Sequence, residues 1–227
     1  MPETVTRINL GFVNAYLLAA GQDFVLIDTG MGGQWKRLSE SLVKAGATPG
    51  RLKLVVLTHA DRDHAGNCHK LKVQYGVPIA AHTVDAEVLR SGRQPPRTGR
   101  TPGAKAAMKL LALLSKRGSA APSHGGPAPE IILKDGQRLD EWGCAARVIH
   151  LPGHTGGSIA VLTDDGHMIA GDACTNNKQP APSPFIENIE DYRRSIAVMR
   201  GLAPSVKTVY PGHGSPFDGA LLSTLSL

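Results

Sequence analysis

Leu54-Val55-Val56-Leu57-Thr58-His59-Ala60-Asp61-Arg62-Asp63-His64-Ala65-Gly66 is the stretch that decides how this chain is read. An apolar run of strand length ends in two imidazoles and two carboxylates, at His59, Asp61, Asp63 and His64. Imidazole nitrogen and carboxylate oxygen are ligands for divalent transition metals. A strand that ends in such a cluster looks like half of a metal site held on a rigid support. The other half has to come from other strand ends. Three glycine-rich turns fit: Leu151-Pro152-Gly153-His154-Thr155-Gly156-Gly157-Ser158, Ala170-Gly171-Asp172-Ala173 and Tyr210-Pro211-Gly212-His213-Gly214. Each places one His or Asp where glycine lets the backbone pass close to a neighbour.

Outward from these turns, the pattern predicts strands over 4–10, 13–20 and 23–28, punctuated by Gly11, Gly21 and Gly30 as in a meander. A helix is expected over 34–46, closed by Gly46, and another from about His64 to Tyr75, closed by Gly76. A short strand at Pro78–Ala81 and a short helix over 83–90 follow. Further strands are predicted at Ile131–Leu133, Gln137–Leu139, Cys144–Leu151, Ser158–Thr163, His167–Ala170 and Lys207–Tyr210, with a helix over Ile189–Leu202. Two mixed sheets packed face to face, with helices outside, account for this order.

Composition fits a globular chain, with 41% hydrophobic and 19% charged residues among 227. No apolar run reaches membrane-spanning length. The N-terminus lacks the apolar region of a signal peptide, so the expected location is cytoplasmic. Cys68, Cys144 and Cys174 are odd in number and far apart, which argues against a disulfide framework. The net charge of +6 is local. Between Glu87 and Glu130 lie eight basic residues (Arg90, Arg93, Arg97, Arg100, Lys105, Lys109, Lys116, Arg117) and no acidic one. Residues 91–129 read as a basic insertion or lid whose middle, Ala104–Lys116, is an amphipathic helix with Leu110, Leu111 and Leu114 on one face.

The chain resembles the metallo-β-lactamase-fold hydrolase superfamily. Five signals carry the likeness, in the family's order: Ile27-Asp28-Thr29-Gly30, the Thr58–His64 motif, Pro152-Gly153-His154-Thr155, Gly171-Asp172 and Pro211-Gly212-His213-Gly214. The resemblance implies an α/β fold, a four-layer αββα sandwich of two mixed β-sheets flanked by helices, in a single domain over 1–227. It implies two divalent metal ions, one held by His59, Asp61 and His154 and the other by Asp63, His64 and His213. Asp172 would bridge them, and Asp28 would orient a ligand by hydrogen bonds from behind. The departure is Asp61, which stands where the usual His-x-His-x-Asp-His motif has its second His. A carboxylate there adds negative charge and shifts the donor set toward oxygen. Zinc is the first expectation, with Fe or Mn favoured by that shift. His82 and His150 are expected as hydrogen-bonded structural residues. His69, His124 and His167 are expected in surface or loop roles.

Such a centre implies hydrolysis, with a hydroxide at neutral pH as nucleophile and Asp63 or Asp172 relaying its proton. The expected substrate is a small ester, thioester or lactone. The basic segment suggests an anionic or acyl ligand, with Leu110 and Leu114 lining a pocket, or contact with a membrane surface. Asn176, Asn177 and Lys178, just past Asp172, are candidate substrate contacts. A phosphodiesterase or nuclease is the alternative, although no aromatic lies between Val77 and Ala128 to stack bases. An iron-dependent non-hydrolytic reaction is a further one. The chain after His213 is short for the C-terminal substrate domain of glyoxalase II, so that activity is not expected.

Overall fold

The computed structural model describes residues 5–116 and 128–227, without the side chains of Ala107 and residues 111–116. Two sheets face each other. The first has six strands in the order Val5–Asn9, Asn14–Ala20, Asp23–Ile27, Leu52–Val56, Ile79–His82 and Ile131–Leu133. Its first three form an antiparallel meander, and the rest run parallel to Asp23–Ile27. The second has five, in the order Phe217–Asp218, Thr208–Pro211, His167–Gly171, Ile159–Thr163 and Ala146–His150. Only Thr208–Pro211 and His167–Gly171 pair in parallel.

Side chains alternate across a strand, so a strand buried on both faces feeds two different cores. Val25, Ile27, Leu54 and Val56 point between the sheets, where they meet Val148, Val161 and Ile169. Leu26 and Val55, their neighbours in sequence, point the other way and pack with Leu38, Leu42, Leu71 and Leu89 of the outer helices. On the far side, Leu162, Met168 and Val209 pack with Tyr192, Ile196 and Met199 of the helix Ile189–Leu202. Three apolar clusters between four layers make the αββα sandwich. The glycine stops are as expected: Gly46 and Gly76 sit at φ +79° and +63° just past their helices.

The helix expected from His64 to Tyr75 is instead two, Arg62–Ala65 and Cys68–Tyr75. The reason is tertiary. A Cβ on Gly66 would lie 2.4 Å from the Gly32 nitrogen and 2.8 Å from the Gly30 carbonyl, so two loops cross there at backbone contact. Asn67 ties the crossing by donating from Nδ2 to the carbonyls of Thr29 (2.7 Å) and Met31 (2.8 Å). The predicted strand Gln137–Leu139 reduces to one isolated bridge, Arg138 to Arg147, and the strand expected over Cys144–Leu151 spans Ala146–His150. Two short pairings were not legible: Thr98–Gly99 with Phe185–Ile186, and Cys174–Thr175 with Ala181–Pro182.

In the basic segment, the helix Pro102–Lys116 forms as expected. Leu110 is 57% exposed, so it is not buried over a pocket here. Arg117 and His124, and the side chains of Leu111, Leu114 and Lys116, lie outside the described residues. Among the described residues no helix is long and apolar enough to cross a membrane.

Candidate metal centre

The strand ends that carry the candidate ligands converge. His59, His154 and Asp172 offer ligand atoms within 4.8 Å of one another, and so do Asp63, His64 and His213. Asp172 reaches both groups. Its Oδ1 lies 3.4 Å from His64 Nε2, and its Oδ2 lies 3.3 Å from His213 Nε2 and 3.7 Å from His154 Nε2. Asp61 Oδ2 sits 3.4 Å from His59 Nε2 and 3.3 Å from His154 Nε2.

Each of the four imidazoles is held from behind through Nδ1. His64 Nδ1 meets Asp28 Oδ2 at 2.8 Å, and His59 Nδ1 meets Thr58 Oγ1 at 2.9 Å. His154 Nδ1 meets the Phe185 carbonyl at 2.8 Å, and His213 Nδ1 meets the Phe12 carbonyl at 2.6 Å. Carbonyl and carboxylate partners are acceptors, and Thr58 donates its own proton to Asp28 (2.7 Å), so each Nδ1 carries the hydrogen. That leaves the Nε2 atoms aimed inward. His59 Nε2, His64 Nε2 and Asp172 Oδ1 are buried without a hydrogen-bond partner. Buried polar atoms are rarely left so. Orphaned imidazole and carboxylate donors aimed at one another, each with an outer partner, fit a divalent ion.

The charges around the centre point the same way. Burial opposes charge on His213, but Asp172 and Asp63 outweigh it and raise the imidazole to about 10. Burial would raise Asp172, yet His213 and His64 hold it well below the usual carboxylate range. Acid and base groups here compensate one another as protons in the way a cation would compensate the carboxylates.

Asp28 anchors one side. It is the only non-glycine residue at positive φ (+61°) among those described. That backbone turns its carboxylate back to accept from Thr58 N (2.8 Å), Thr58 Oγ1 (2.7 Å) and His64 Nδ1. Asn tolerates this φ, so Asp28→Asn should fold while removing the acceptor behind His64. Metal affinity, measured by competition with a chromophoric chelator, should fall about 10- to 100-fold. An unchanged affinity would show that Asp28 serves only the loop.

Three residues important to this geometry were not found in sequence. Asp85, 1% exposed, accepts from Ala60 N (2.6 Å), Thr155 Oγ1 (3.0 Å) and Gly157 N (2.9 Å). One carboxylate thus fastens the loop of His59 and Asp61 to the loop of His154. Arg97 grips both oxygens of Asp61. Phe12, 56% exposed, stacks on the His213 ring at 5.8 Å. Asp85 and Arg97 have no motif. Phe12 sits in a turn signalled only by Gly11.

Of the candidate substrate contacts, Asn176 donates from Nδ2 to the Ser215 carbonyl (2.9 Å), while its backbone N–H donates to the His213 carbonyl (2.9 Å). It secures the His213 turn. Asn177 and Lys178 are exposed. His82 and His150 stack on each other, ring centroids 4.1 Å apart.

A family model described as the metallo-beta-lactamase superfamily matches residues 8–213. The chain belongs to that superfamily. It is 28% identical to the probable metallo-hydrolase YflN of Bacillus subtilis, over 95% of this chain and 84% of that protein. It is 27% identical to the acyl-coenzyme A thioesterase MBLAC2 of Bos taurus, over 94% of this chain and 77% of the relative. A crystal structure of a metallo-beta-lactamase family protein of Thermus thermophilus superposes with a TM-score of 0.70 at 23% identity, covering 96% of this chain and 75% of that one. Members of this superfamily bind divalent metals, and its membership together with these relatives supports a hydrolase.

Proposed function

We propose that this superfamily member is a metal-dependent thioester hydrolase acting on an anionic acyl thioester. The carrying observation is the set of four histidines, each held through Nδ1, whose Nε2 atoms converge on Asp61, Asp63 and Asp172. Asp63, His64 and His213 would hold one ion, and His59 and His154 the other, with Asp61 beside them and Asp172 between. When bound, the ions lower the pKa of a water and polarise a carbonyl oxygen.

The chain's own residues do the rest. Water adds its oxygen to the thioester carbon, and the C–S bond breaks. Asp63 is the least buried of the three carboxylates, and its Oδ2 is 3.3 Å from His213 Nε2. It accepts the water's proton and returns it to solvent. The leaving thiolate needs little help, because a thiol ordinarily titrates near ~8.5. The buried cysteines are poor nucleophiles. Burial pushes the Cys68 thiol up to about 12, and burial with the nearby Asp172 charge does the same at Cys174. Phe12 offers apolar surface for an acyl chain beside His213, and Lys178 offers a cation for an anionic carrier.

The thioester is favoured over an ester or lactone by the likeness to the acyl-coenzyme A thioesterase MBLAC2. The test is a panel of acyl-CoA, lactone, β-lactam and bis-p-nitrophenyl phosphate substrates. Acyl-CoA turnover should lead the panel, vanish with a chelator and return with added Zn, Mn or Fe(II). Preferential phosphodiester cleavage, or turnover indifferent to chelation, would overturn the reading.

A further inference from the structure

Arg97 follows the helix Thr83–Ser91 and immediately precedes the short strand Thr98–Gly99. That strand pairs with Phe185–Ile186, and Glu187 comes next. One small ladder therefore delivers an acid and a base to the same place. Arg97 Nη1 and Nη2 donate to Asp61 Oδ2 and Oδ1, and its Nε lies 3.5 Å from Glu187 Oε1. Its side chain is only 13% exposed and that of Asp61 only 12%. This is the planar two-bond fork by which arginine grips a carboxylate.

The consequence falls on one half of the centre. Asp61 Oδ2, the oxygen nearest His59 Nε2 and His154 Nε2, is the one that accepts from Nη1. A guanidinium a few ångströms from that position repels a divalent ion and occupies the lone pairs the ion would use. Among the described residues, the ion-pair partners of Asp63 and Asp172 are all histidines. The Asp63–His64–His213 half has no arginine or lysine fixed on its carboxylates, only imidazoles that can give up a proton to make way for an ion.

Resting on the metal-dependent reading above, we infer that Arg97 is a built-in competitor that grades the two half-sites. The Asp63–His64–His213 half fills first. The His59–His154 half fills only at a higher ion concentration, and Arg97 sets that concentration. Asp61 with Arg97 is also neutral as a pair, so the extra carboxylate does not make the centre more negative than an imidazole there would.

The test is titration of the chelator-stripped protein with Co(II), followed by visible absorbance and by bound equivalents after gel filtration. The wild type should show two events at least about tenfold apart in affinity, with His59→Ala deleting the weaker. Arg97→Met keeps an apolar stem of similar length. It should tighten the weaker event at least tenfold and leave the stronger one within about twofold. Asp61→Asn combined with Arg97→Met should lose that gain, since the freed carboxylate is its source. If Arg97→Met fails to fold, Arg97→Gln carries the same expectation. Two equal events in the wild type, or a weaker event that Arg97 substitution leaves unchanged or loosens, overturns the inference and leaves the metal centre standing. No binding by the wild type overturns the metal-dependent reading itself.

Discussion

Asp172→Ala should empty the centre. Its two oxygens face three histidines, His64, His154 and His213, at 3.3 to 3.7 Å, and it is the carboxylate that reaches both ligand groups. On the proposed reading, removing it takes away the carboxylate that both ligand groups share and leaves their Nε2 atoms without it. Neither proposed ion should survive gel filtration, and turnover of whichever substrate leads the panel should fall on the order of 10³-fold, about 4 kcal/mol of lost transition-state stabilisation. The fold should persist, since the three apolar clusters do not depend on this side chain. Wild-type metal content in the purified variant would remove Asp172 from the centre.

Asp85→Ala should show the largest effect of a residue that touches no ion. Its carboxylate accepts from two backbone N–H groups and one hydroxyl, all buried. Alanine leaves the Ala60 and Gly157 N–H groups unpaired at a cost of about 1–3 kcal/mol apiece where water does not enter, while the Thr155 hydroxyl keeps Ser158 Oγ at 2.7 Å. A net loss of about 3 kcal/mol lowers the melting temperature by roughly 10 °C in a chain of this size. The second consequence separates this from ordinary destabilisation. The Ala60 and Thr155 loops carry His59 and His154, so the half-site they form should lose affinity even at temperatures where the variant is fully folded. Calorimetry and Co(II) titration of the same sample check both. A variant with native affinity for both ions would confine Asp85 to the stability of the loops.

The parts of the centre legible in sequence were those where chemistry and chain position coincide. His59, Asp61, Asp63 and His64 are contiguous, so one strand end brings them together whatever surrounds it. His154, Asp172 and His213 stand in glycine-rich turns whose order along the chain carried the family resemblance. The sheet layers were legible because strands such as Asp23–Ile27 are apolar on both faces and the helices on one. The break between Ala65 and Cys68 is invisible in sequence, because local periodicity cannot register a crossing by the Gly30–Gly32 backbone. Amphipathic spacing puts Leu110 on an apolar face and does not say what covers that face.

Sequence alone therefore determined the fold family and offered most of the candidate ligands, since hydrophobic alternation and ligand type are properties of each segment by itself. Tertiary structure decided how those donors are oriented, charged and shared. Asp85 has no motif because its three partners come from two distant loops. Arg97 reads in sequence as one more cation in a basic stretch, and only a two-residue ladder with Phe185–Ile186 turns it inward onto Asp61. The charge of the Asp61 half-site is a sum over residues far apart in the chain, and folding is what brings its terms within ångströms of one another.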